Sequence, residues 1–371
     1  MNKMRRTTIW ASTALAALMV VAGCSSSSKT GGASTTTAKG ATGGTTATTA
    51  TTGGPAPSTV TIAGLNYSAP FAAQYAAMGS TGAFNKVEQE FHTTIKFEQF
   101  GTTQNAQDAM LGGSADMSIA ALGGWLVIDA AGKPVVATFA PFVGGGGVLV
   151  GAKKWEQSRG TDLSKFAGST FGYTREGSAS ELYMEIAVNK AGLNWSSLPH
   201  VAFGQPAAAL PLLQAGRLDV AATDPTTAAQ LISSGAAYLI LNLNDPKTAY
   251  PVIGEQLGTV YAFNKSFVDQ YPQLVKALDG ALLQGLNAVK AVSSNPSSVL
   301  ALFPSNIQQA LSSGFSEAWP LSAPGVDASD GTMPDSAVQA TISFGESVKQ
   351  LTPAQAAVAS NVVNNSYIPA Q

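Results

Sequence analysis

The chain has 371 residues, of which 45% are hydrophobic and 11% are charged, and its formal net charge is −2 at pH 7. A mildly acidic chain without a basic stretch is a poor partner for nucleic acid, so we expect none. The single cysteine excludes an intrachain disulfide, and the two histidines have neither metal-ligand spacing nor a cofactor-binding motif around them. We therefore expect no metal and no cofactor.

The N-terminus has the pattern of a cleaved leader. A basic start from Lys3 to Arg6 precedes the apolar run 9–21, which has the length of a secretory signal core and is too short for a relaxed membrane span. The run closes on Val-Ala-Gly-Cys24, which resembles the lipobox of bacterial lipoproteins. We predict a signal peptide over 1–23 and acyl chains such as palmitate on Cys24, which hold the protein on the extracytoplasmic face of the cell membrane. The alternative is an ordinary secretion signal followed by a chance cysteine.

Residues 24–57 have the composition of a spacer. After Cys24 they are almost all Ser, Thr, Gly and Ala, with Lys29 and Lys39 the only charges. Such a segment has too little apolar bulk to fold. We predict a flexible tether with an r.m.s. reach of roughly 30 Å.

From residue 58 the chain is globular and too long for one ordinary core, which favours two lobes. An internal repeat at an offset of 103 residues supports them, with these landmarks aligned: Phe100-Gly101 with Phe203-Gly204, Gly113 with Gly216, and Asp116 with Asp219. Each copy predicts a strand that ends in Phe-Gly, a helix capped by the later glycine, and a short strand after the aspartate. The predicted helices and strands are 103–111 and 117–120 in the first copy, and 206–214 and 220–223 in the second.

Further elements frame the two copies. The pattern predicts strands over 59–63, 135–139, 148–151, 169–174 and 238–243, and helices over 266–292, 305–316 and 335–350. Gly144–Gly147 lies between two of these strands, and four consecutive glycines suit either a crossover hinge or a surface turn. We predict that the first lobe comprises 58–146 plus 243–371 and that the second comprises 147–242.

Four stretches carry a resemblance to a known family: 106–119 with its Gly-Gly-Ser-Ala-Asp, 162–172, the Gly-Ser turn in 176–180, and 212–225 with its Gly-Arg-Leu-Asp. In this order they resemble the extracytoplasmic substrate-binding proteins of ABC importers, in the branch that handles nitrate, aliphatic sulfonates, taurine and thiamine-precursor pyrimidines. The resemblance implies an α/β, bilobed, type 2 periplasmic-binding-protein-like fold with two mixed-sheet lobes joined by two crossover hinges. It also implies a small-molecule solute between the lobes, and an ABC permease with its ATPase as partners. We expect a monomer.

Ligands of open α/β sheets bind beyond the carboxyl ends of the strands, where the topology reverses. Three pairs of candidate ligand-binding residues occupy such places: Asn66 and Tyr67, Leu122 and Gly123, and Thr223 and Asp224. Tyr67 and the nearby Trp125 could stack on a solute ring or, alternatively, pack against helices. Asp224 either accepts a hydrogen bond from a solute N–H group or caps the helix that begins at Pro225.

Gly177 and Ser178 lie at the N-terminus of a predicted helix that runs to about residue 190. Free main-chain N–H groups and the helix dipole bind anions at such a position, so we predict ligand contact there. A serine at this place can also serve as a helix cap alone. Arg175 could clamp an oxyanion, or form a solvated ion pair with Glu176.

These features predict a lipid-anchored protein that binds a small polar organic solute, similar to a sulfonate, a pyrimidine or an amino acid, and supplies it to an ABC importer. A lipoprotein that presents its ligand to a sensor or to an envelope partner is the alternative. An enzyme of the pyrimidine-precursor-synthase type is a third class, and it requires histidine and cysteine chemistry. His92 and His200 have no motif around them, and Cys24 is the predicted lipid carrier. We therefore predict no catalytic residues.

Overall fold

A sheet at the centre of each of two lobes organises the protein. The computed structural model describes residues 55–65, 67–176 and 178–370. The predicted signal peptide, Cys24, most of the spacer, Asn66 and Gly177 lie outside the described residues. Within the described ranges, no helix has both the length and the apolar character needed to cross a membrane.

Ten strands of the described chain form the two sheets. In chain order they are β1 (Thr59–Gly64), β2 (Thr94–Gln99), β3 (Met117–Ala120), β4 (Val135–Phe142), β5 (Val148–Ala152), β6 (Phe171–Tyr173), β7 (His200–Ala202), β8 (Val220–Thr223), β9 (Ala237–Asn242) and β10 (Thr259–Asn264). The first sheet has the order β2-β1-β3-β10-β4, and the second has the order β7-β6-β8-β5-β9. In each sheet the fourth strand, β10 or β5, is antiparallel to both of its neighbours. The predicted fold class, two mixed-sheet α/β lobes, is confirmed.

Helices flank the sheets. In chain order they are α1 (Ala72–Met78), α2 (Ala83–Phe91), α3 (Thr103–Leu111), α4 (Leu122–Ala130), α5 (Glu156–Arg159), α6 (Ala179–Lys190), α7 (Ala209–Gln214), α8 (Pro225–Ser233), α9 (Pro246–Ile253), α10 (Lys265–Gln270), α11 (Pro272–Ala291), α12 (Pro296–Leu300), α13 (Ser305–Leu311), α14 (Phe315–Asp327), α15 (Asp335–Ser347), α16 (Pro353–Ala356) and α17 (Ala359–Val362). The predicted helix over 266–292 is divided into α10 and α11. Pro272 has no N–H to donate and disfavours helical backbone at Tyr271, whose φ and ψ are −128° and 49°.

The internal repeat corresponds to one structural unit in each lobe. Strands β3 and β8 have the predicted bounds. Each pairs in parallel with the strand that precedes the Phe-Gly strand, β1 or β6, which places that strand between the Phe-Gly strand and the short strand after the aspartate. Gly113 and Gly216 follow α3 and α7 with φ of 79° and 68°, as predicted for left-handed helix caps. The two lobes are therefore built on the same strand–helix–strand unit.

The 20-residue helix α11 fills much of the first lobe. Four leucines spaced by four residues, from Leu274 to Leu286, are each at most 1% exposed, so one stripe of the helix faces the core. Burial of each leucine contributes about 2 kcal/mol to folding. Gly285 lies against α1, and a Cβ there would lie 2.0 Å from Ala73 O. The two helices therefore approach more closely than a side chain at this position would permit.

The two crossovers between the lobes run side by side. Gly144–Gly147 carries the chain from β4 to β5. Gly144 N donates to Gln256 O of the second crossover at 2.9 Å, and Gly145 N donates to Leu243 O at 2.9 Å. The crossover interpretation of the glycine run is therefore confirmed, and the surface-turn alternative does not apply.

Backbone conformation and packing both require glycine in the first crossover. Gly144 and Gly146 have φ of 131° and 75°, values that side-chain-bearing residues rarely adopt. A Cβ on Gly145 would lie 2.9 Å from Ile253 Cδ1 and 3.0 Å from Tyr183 Cζ. This segment is therefore packed between elements of the second lobe.

Helix α9 packs with the second lobe. Residue 242, at which that lobe is predicted to end, is the last residue of β9. Helix α9 follows and packs against α6, with Ala249 and Ile253 in the apolar cluster of the second lobe. Residues 254–258 then lead to β10 of the first sheet.

Candidate functional site

A cavity of about 320 Å³, here called the α8–α14 cavity, has walls from both lobes. The turn after β1 (Tyr67–Pro70) and the start and one face of α14, between Ser313 and Ser322, form the first-lobe wall. The start of α8 (Asp224–Thr226) forms the second-lobe wall, and Gly146 of the first crossover also lines the cavity. The structure thus brings Tyr67 and Asp224, two of the predicted site residues, to one cavity.

Aromatic packing fixes Tyr67 at this cavity. Its ring stacks on Phe97 with the centroids 6.1 Å apart and meets the ring of Tyr75 edge-on at 5.6 Å. Burial raises the pKa of the Tyr75 hydroxyl far above its usual range, and that hydroxyl accepts a hydrogen bond from Ser68 N at 3.2 Å. Tyr67 therefore packs against its own lobe and lines the cavity at the same time.

Asp224 is the N-cap of α8. Its Oδ1 accepts from Thr227 N at 3.0 Å and its Oδ2 accepts from Thr227 Oγ1 at 2.7 Å, while Pro225 occupies the first helical position. Such a cap stabilises a helix by about 1 kcal/mol. The capping alternative describes this residue, and the same carboxylate borders the cavity. Thr223, 3% exposed, lies just before it, and its hydroxyl donates to Asp224 Oδ2 at 3.4 Å.

A second cavity of about 320 Å³, the α4–α15 cavity, also includes residues of both lobes. Gly123 lines it from α4, so the structure separates this predicted residue from Tyr67 and Asp224. Tyr183 of α6 packs on Phe344 of α15 beside it, with ring centroids 5.6 Å apart. Burial raises the pKa of Tyr183 to about 12. The described lining of this cavity contains no charged side chain.

Leu122 and Trp125 face the core of the first lobe. Both are 0% exposed and belong to the apolar cluster beneath α4. Leu122 N donates to Leu257 O at 2.9 Å, and Trp125 Nε1 donates to Val260 O at 3.2 Å. The packing alternative therefore describes Trp125, because its ring lies in this apolar cluster with its N–H already bonded, and it is not among the described lining residues of either cavity.

Ser178 caps α6, and its Oγ accepts from Glu181 N at 3.4 Å. The hydroxyls of Thr174 and Ser180 lie 3.3 Å and 2.9 Å from Ser178 Oγ, so three hydroxyl groups cluster at this helix start. Arg175 is exposed on the adjoining turn. Neither Ser178 nor Arg175 is among the described lining residues of the two cavities.

The sequence-based predictions missed the contribution of the C-terminal third of the chain to the α8–α14 cavity. Ser313, Gly314, Phe315 and Ser322 all line it. Gly314 lies inside the predicted helix over 305–316, which the structure divides into α13 and α14. A glycine commonly follows the last turn of a helix, so Gly314 was the available signal for this break. Among the described residues, no group of three His, Cys, Asp or Glu side chains is placed to hold a metal ion.

Two mixed sheets with interlobe cavities beyond the carboxyl ends of their parallel strands define the type 2 periplasmic-binding-protein fold. The chain belongs to the NMT1-like family, whose sequence profile matches residues 54–301. No curated protein matches the sequence significantly.

Solved structures share this fold with the chain. The periplasmic aliphatic sulphonate binding protein SsuA from Escherichia coli is 13% identical with a TM-score of 0.63, and the match covers 85% of this chain and 95% of SsuA. A second similar structure is the ligand binding component of an ABC-type import system from Staphylococcus aureus, solved with zinc bound. It is 15% identical with a TM-score of 0.60, and the match covers 84% of this chain and 98% of that protein. The periplasmic nitrate-binding protein NrtA from Synechocystis PCC 6803 is 12% identical with a TM-score of 0.54, and the match covers 84% and 87%. At these identities the similarity establishes the fold. Two of the three names state a solute, aliphatic sulphonate or nitrate, and the third states only that zinc is bound.

Proposed function

We propose that the protein is an extracytoplasmic solute-binding lipoprotein that captures a small polar organic solute between its lobes and delivers it to an ABC import permease. The observation that carries this proposal is the α8–α14 cavity, which takes lining residues from both lobes and from a crossover that joins them. Its size falls within the range of about 300–1,000 Å³ that is usual for small-ligand sites. Membership of the NMT1-like family and the fold shared with binding components of import systems support the same function.

A solute in this cavity would contact both lobes at once. Tyr67 and Ser322 belong to one lobe, and Asp224 and Thr226 belong to the other. Because these contacts are complete only when the lobes are together, solute binding favours the closed arrangement. The closed form then docks on the permease, whose ATPase drives import.

The lipid anchor is part of the same proposal. Acyl chains on Cys24 would keep the protein at the membrane, and a flexible spacer up to residue 57 would let the lobes reach the permease over roughly 30 Å. The protein acts as a monomer with three partners: the solute, the permease with its ATPase, and the membrane.

Native mass spectrometry of the chain from residue 55 onwards, purified from rich medium, tests the proposal. Solutes held between closed lobes survive purification, so we expect an added mass that matches a sulfonate, a pyrimidine or an amino-acid-like compound. The same compound should raise the melting temperature of protein that has been unfolded, dialysed and refolded.

A matched pair of variants locates the binding. Helices α8 and α9 both begin with Asp-Pro, and Thr226 and Lys247 are the exposed residues that follow the proline. Thr226 lines the α8–α14 cavity, whereas Lys247 is not among the described lining residues. We expect Thr226→Trp to lose the added mass and Lys247→Trp to keep it. An empty spectrum together with no thermal shift across the three compound classes contradicts the transport proposal and favours a lipoprotein that serves a sensor or another envelope partner.

A further inference from the structure

The α8–α14 cavity has a carboxylate on its second-lobe wall. Asp224 accepts hydrogen bonds from Thr227 N, Thr227 Oγ1 and Thr223 Oγ1, at 3.0, 2.7 and 3.4 Å. A carboxylate has about four acceptor positions, so one remains for a solute. The N-terminus of α8 carries about half a positive charge and offsets only part of the negative charge. The described lining of the cavity contains no Lys, Arg or His.

The first-lobe wall presents hydrogen-bond donors instead. Helix α14 begins at Phe315 after Gly314, which has a φ of 88° and no side chain with which to cap the helix. The first main-chain N–H groups of a helix have no partner within it. Two of the four such groups in α14 belong to the lining residues Gly314 and Phe315, so this wall favours a negatively charged group.

Ser322 gives an independent indication of a ligand. It lies two turns beyond Phe315 on the same face of α14, lines the cavity, and is 0% exposed. Its Oγ has no hydrogen-bond partner in the described protein. Buried hydroxyl groups are nearly always hydrogen-bonded, so an unpaired one at a cavity wall indicates a group that the cavity receives.

We propose that the α8–α14 cavity takes a zwitterionic solute of the amino-acid class, with its ammonium group at Asp224 and its carboxylate at the start of α14 and Ser322. The inference rests on the proposed function, because it names the solute class for the same cavity. A simple anion would meet Asp224 with no cationic side chain in the described lining to offset it. A simple amine would leave the α14 donors and the Ser322 hydroxyl unpaired. A zwitterion satisfies both walls and, since its two charges interact with different lobes, draws the lobes together.

The test is isothermal titration of the full-length chain, purified in detergent, with the standard amino acids, 4-aminobutanoate and 5-aminopentanoate. Each zwitterion that binds is compared with its desamino acid and its decarboxylated amine. Leucine, 4-methylpentanoate and 3-methylbutylamine form one such set. We expect at least one zwitterion to bind, and both of its counterparts to bind at least tenfold more weakly.

Two substitutions separate ligand contact from structure. Asp224→Asn keeps the helix cap, because asparagine caps as well as aspartate does, but it removes the charge. We expect it to weaken binding of the zwitterion at least tenfold without weakening that of the desamino acid, whereas Asp245→Asn, the same change at the N-cap of α9, leaves both unchanged. Ser322→Ala should weaken binding several-fold without lowering the melting temperature, since the hydroxyl has no partner to lose.

The outcomes distinguish this inference from the function on which it rests. Equal affinity for a zwitterion and its desamino acid, or unchanged binding in both Asp224→Asn and Ser322→Ala, overturns the zwitterion assignment. If native mass spectrometry finds a sulfonate or a neutral compound while no zwitterion binds, the assignment fails and the proposed function stands. If no compound of any class binds, both fail.

Discussion

Asp116 and Asp219 make the same pair of main-chain hydrogen bonds in two different lobes. Asp116 Oδ2 accepts from Thr61 N at 2.8 Å, and Asp116 N donates to Thr61 O at 2.9 Å. Asp219 repeats both bonds with Thr170, at 3.0 Å and 2.9 Å. Each aspartate therefore holds the start of the strand that follows it, β3 or β8, against the neighbouring segment of its sheet. This gives a physical reason why the repeat has an aspartate at this position.

The environments of the two carboxylates differ. Burial raises the pKa of Asp116, and its single main-chain hydrogen bond offsets this only in part. Burial acts on Asp219 in the same direction, but Trp155 Nε1 at 2.7 Å, Thr170 N and Lys154 Nζ at 3.1 Å together hold its pKa below the usual value. The pKa of the carboxyl is thus raised in the first lobe and lowered in the second.

We predict losses of stability of different size when the charge is removed at these two positions. Asp219→Asn should lower the free energy of unfolding at pH 7 by about 2 kcal/mol, since it weakens hydrogen bonds to a charged group. Asp116→Asn should cost less than about 1 kcal/mol, because the amide oxygen can still accept from Thr61 N. Urea unfolding at pH 7 measures both.

The pH dependence of the stability loss in Asp219→Asn is a control for this prediction. A carboxyl whose pKa is lower in the folded state stabilises the protein above its unfolded pKa, and that contribution is lost as the pH falls through the folded value. The difference in free energy of unfolding between Asp219→Asn and the parent protein should therefore disappear below about pH 4. An equal loss of stability in both variants at pH 7 would contradict the different hydrogen-bonding environments of the Asp116 and Asp219 carboxylates.

A buried acid in α11 should make the protein less stable as the pH rises from about 4 to about 8. Asp279 is fully buried, and burial raises its pKa to about 8 although the Thr138 hydroxyl at 3.1 Å lowers it in part. The unfolded carboxyl has a pKa of about 4, so between about pH 4 and pH 8 the unfolded chain binds fewer protons than the folded one. The free energy of unfolding should fall across that window as the pH rises and level off above it.

The substitution Asp279→Asn should remove this slope and make the protein more stable than the parent at pH 8. Urea midpoints at pH 5, 6, 7 and 8 measure it. Asp269→Asn is the matched control, since Asp269 is exposed in an ion pair with Lys265, and it should keep the parent's slope. Parallel curves for Asp279→Asn and the parent would show that Asp279 is not the group responsible.

The first crossover should tolerate no side chain at its packed glycine. Gly145→Ala places a methyl group 2.9 Å from Ile253 Cδ1 and 3.0 Å from Tyr183 Cζ, and we expect a loss of about 1–3 kcal/mol in stability. Gly101→Ala, where a Cβ meets no atom within 4 Å, should change stability by less than about 0.5 kcal/mol. Denaturant unfolding compares the two, and equal effects would rule out the packing explanation.

Trp125 should be a determinant of stability and not of affinity. Trp125→Ala leaves a cavity beneath α4 and should cost about 3–5 kcal/mol. Solute affinity, measured by calorimetry at a temperature at which the variant is folded, should stay within about twofold of the parent's. Tyr67→Ala provides the contrast, since Tyr67 lines the α8–α14 cavity and its loss should weaken binding. A large loss of affinity in Trp125→Ala would restore the stacking role that its position in the sequence suggested.

The sequence alone was enough to predict those parts of the fold that depend on local backbone conformation and that occur in both copies of the repeat. Gly113 and Gly216 were predicted as left-handed caps because only glycine adopts positive φ at little cost, and the strands after Asp116 and Asp219 followed from the same unit. The site was harder to predict. Whether Trp125 faces a cleft or a core depends on which side of α4 the sheet covers. The residues around Trp125 in the sequence do not predict that side, because it is set by the packing of the whole lobe. Ser322 lies in a region without a repeat, and its significance is visible only when its hydroxyl is found buried and unpaired.

The position of β10 constrains the order in which the protein acquires its structure. This strand comes from residues 259–264, yet it separates β3 from β4 in the middle of the first sheet. As a chain emerges from its N-terminus, the facing edges of β3 and β4 stay unpaired until more than a hundred further residues have appeared. The strands of the second sheet are contiguous in the sequence and are complete by residue 242. The lobe that begins first should therefore finish last. A nascent chain truncated before β10 should protect its second-lobe amides from hydrogen exchange, while the amides of β3 and β4 that face β10 still exchange.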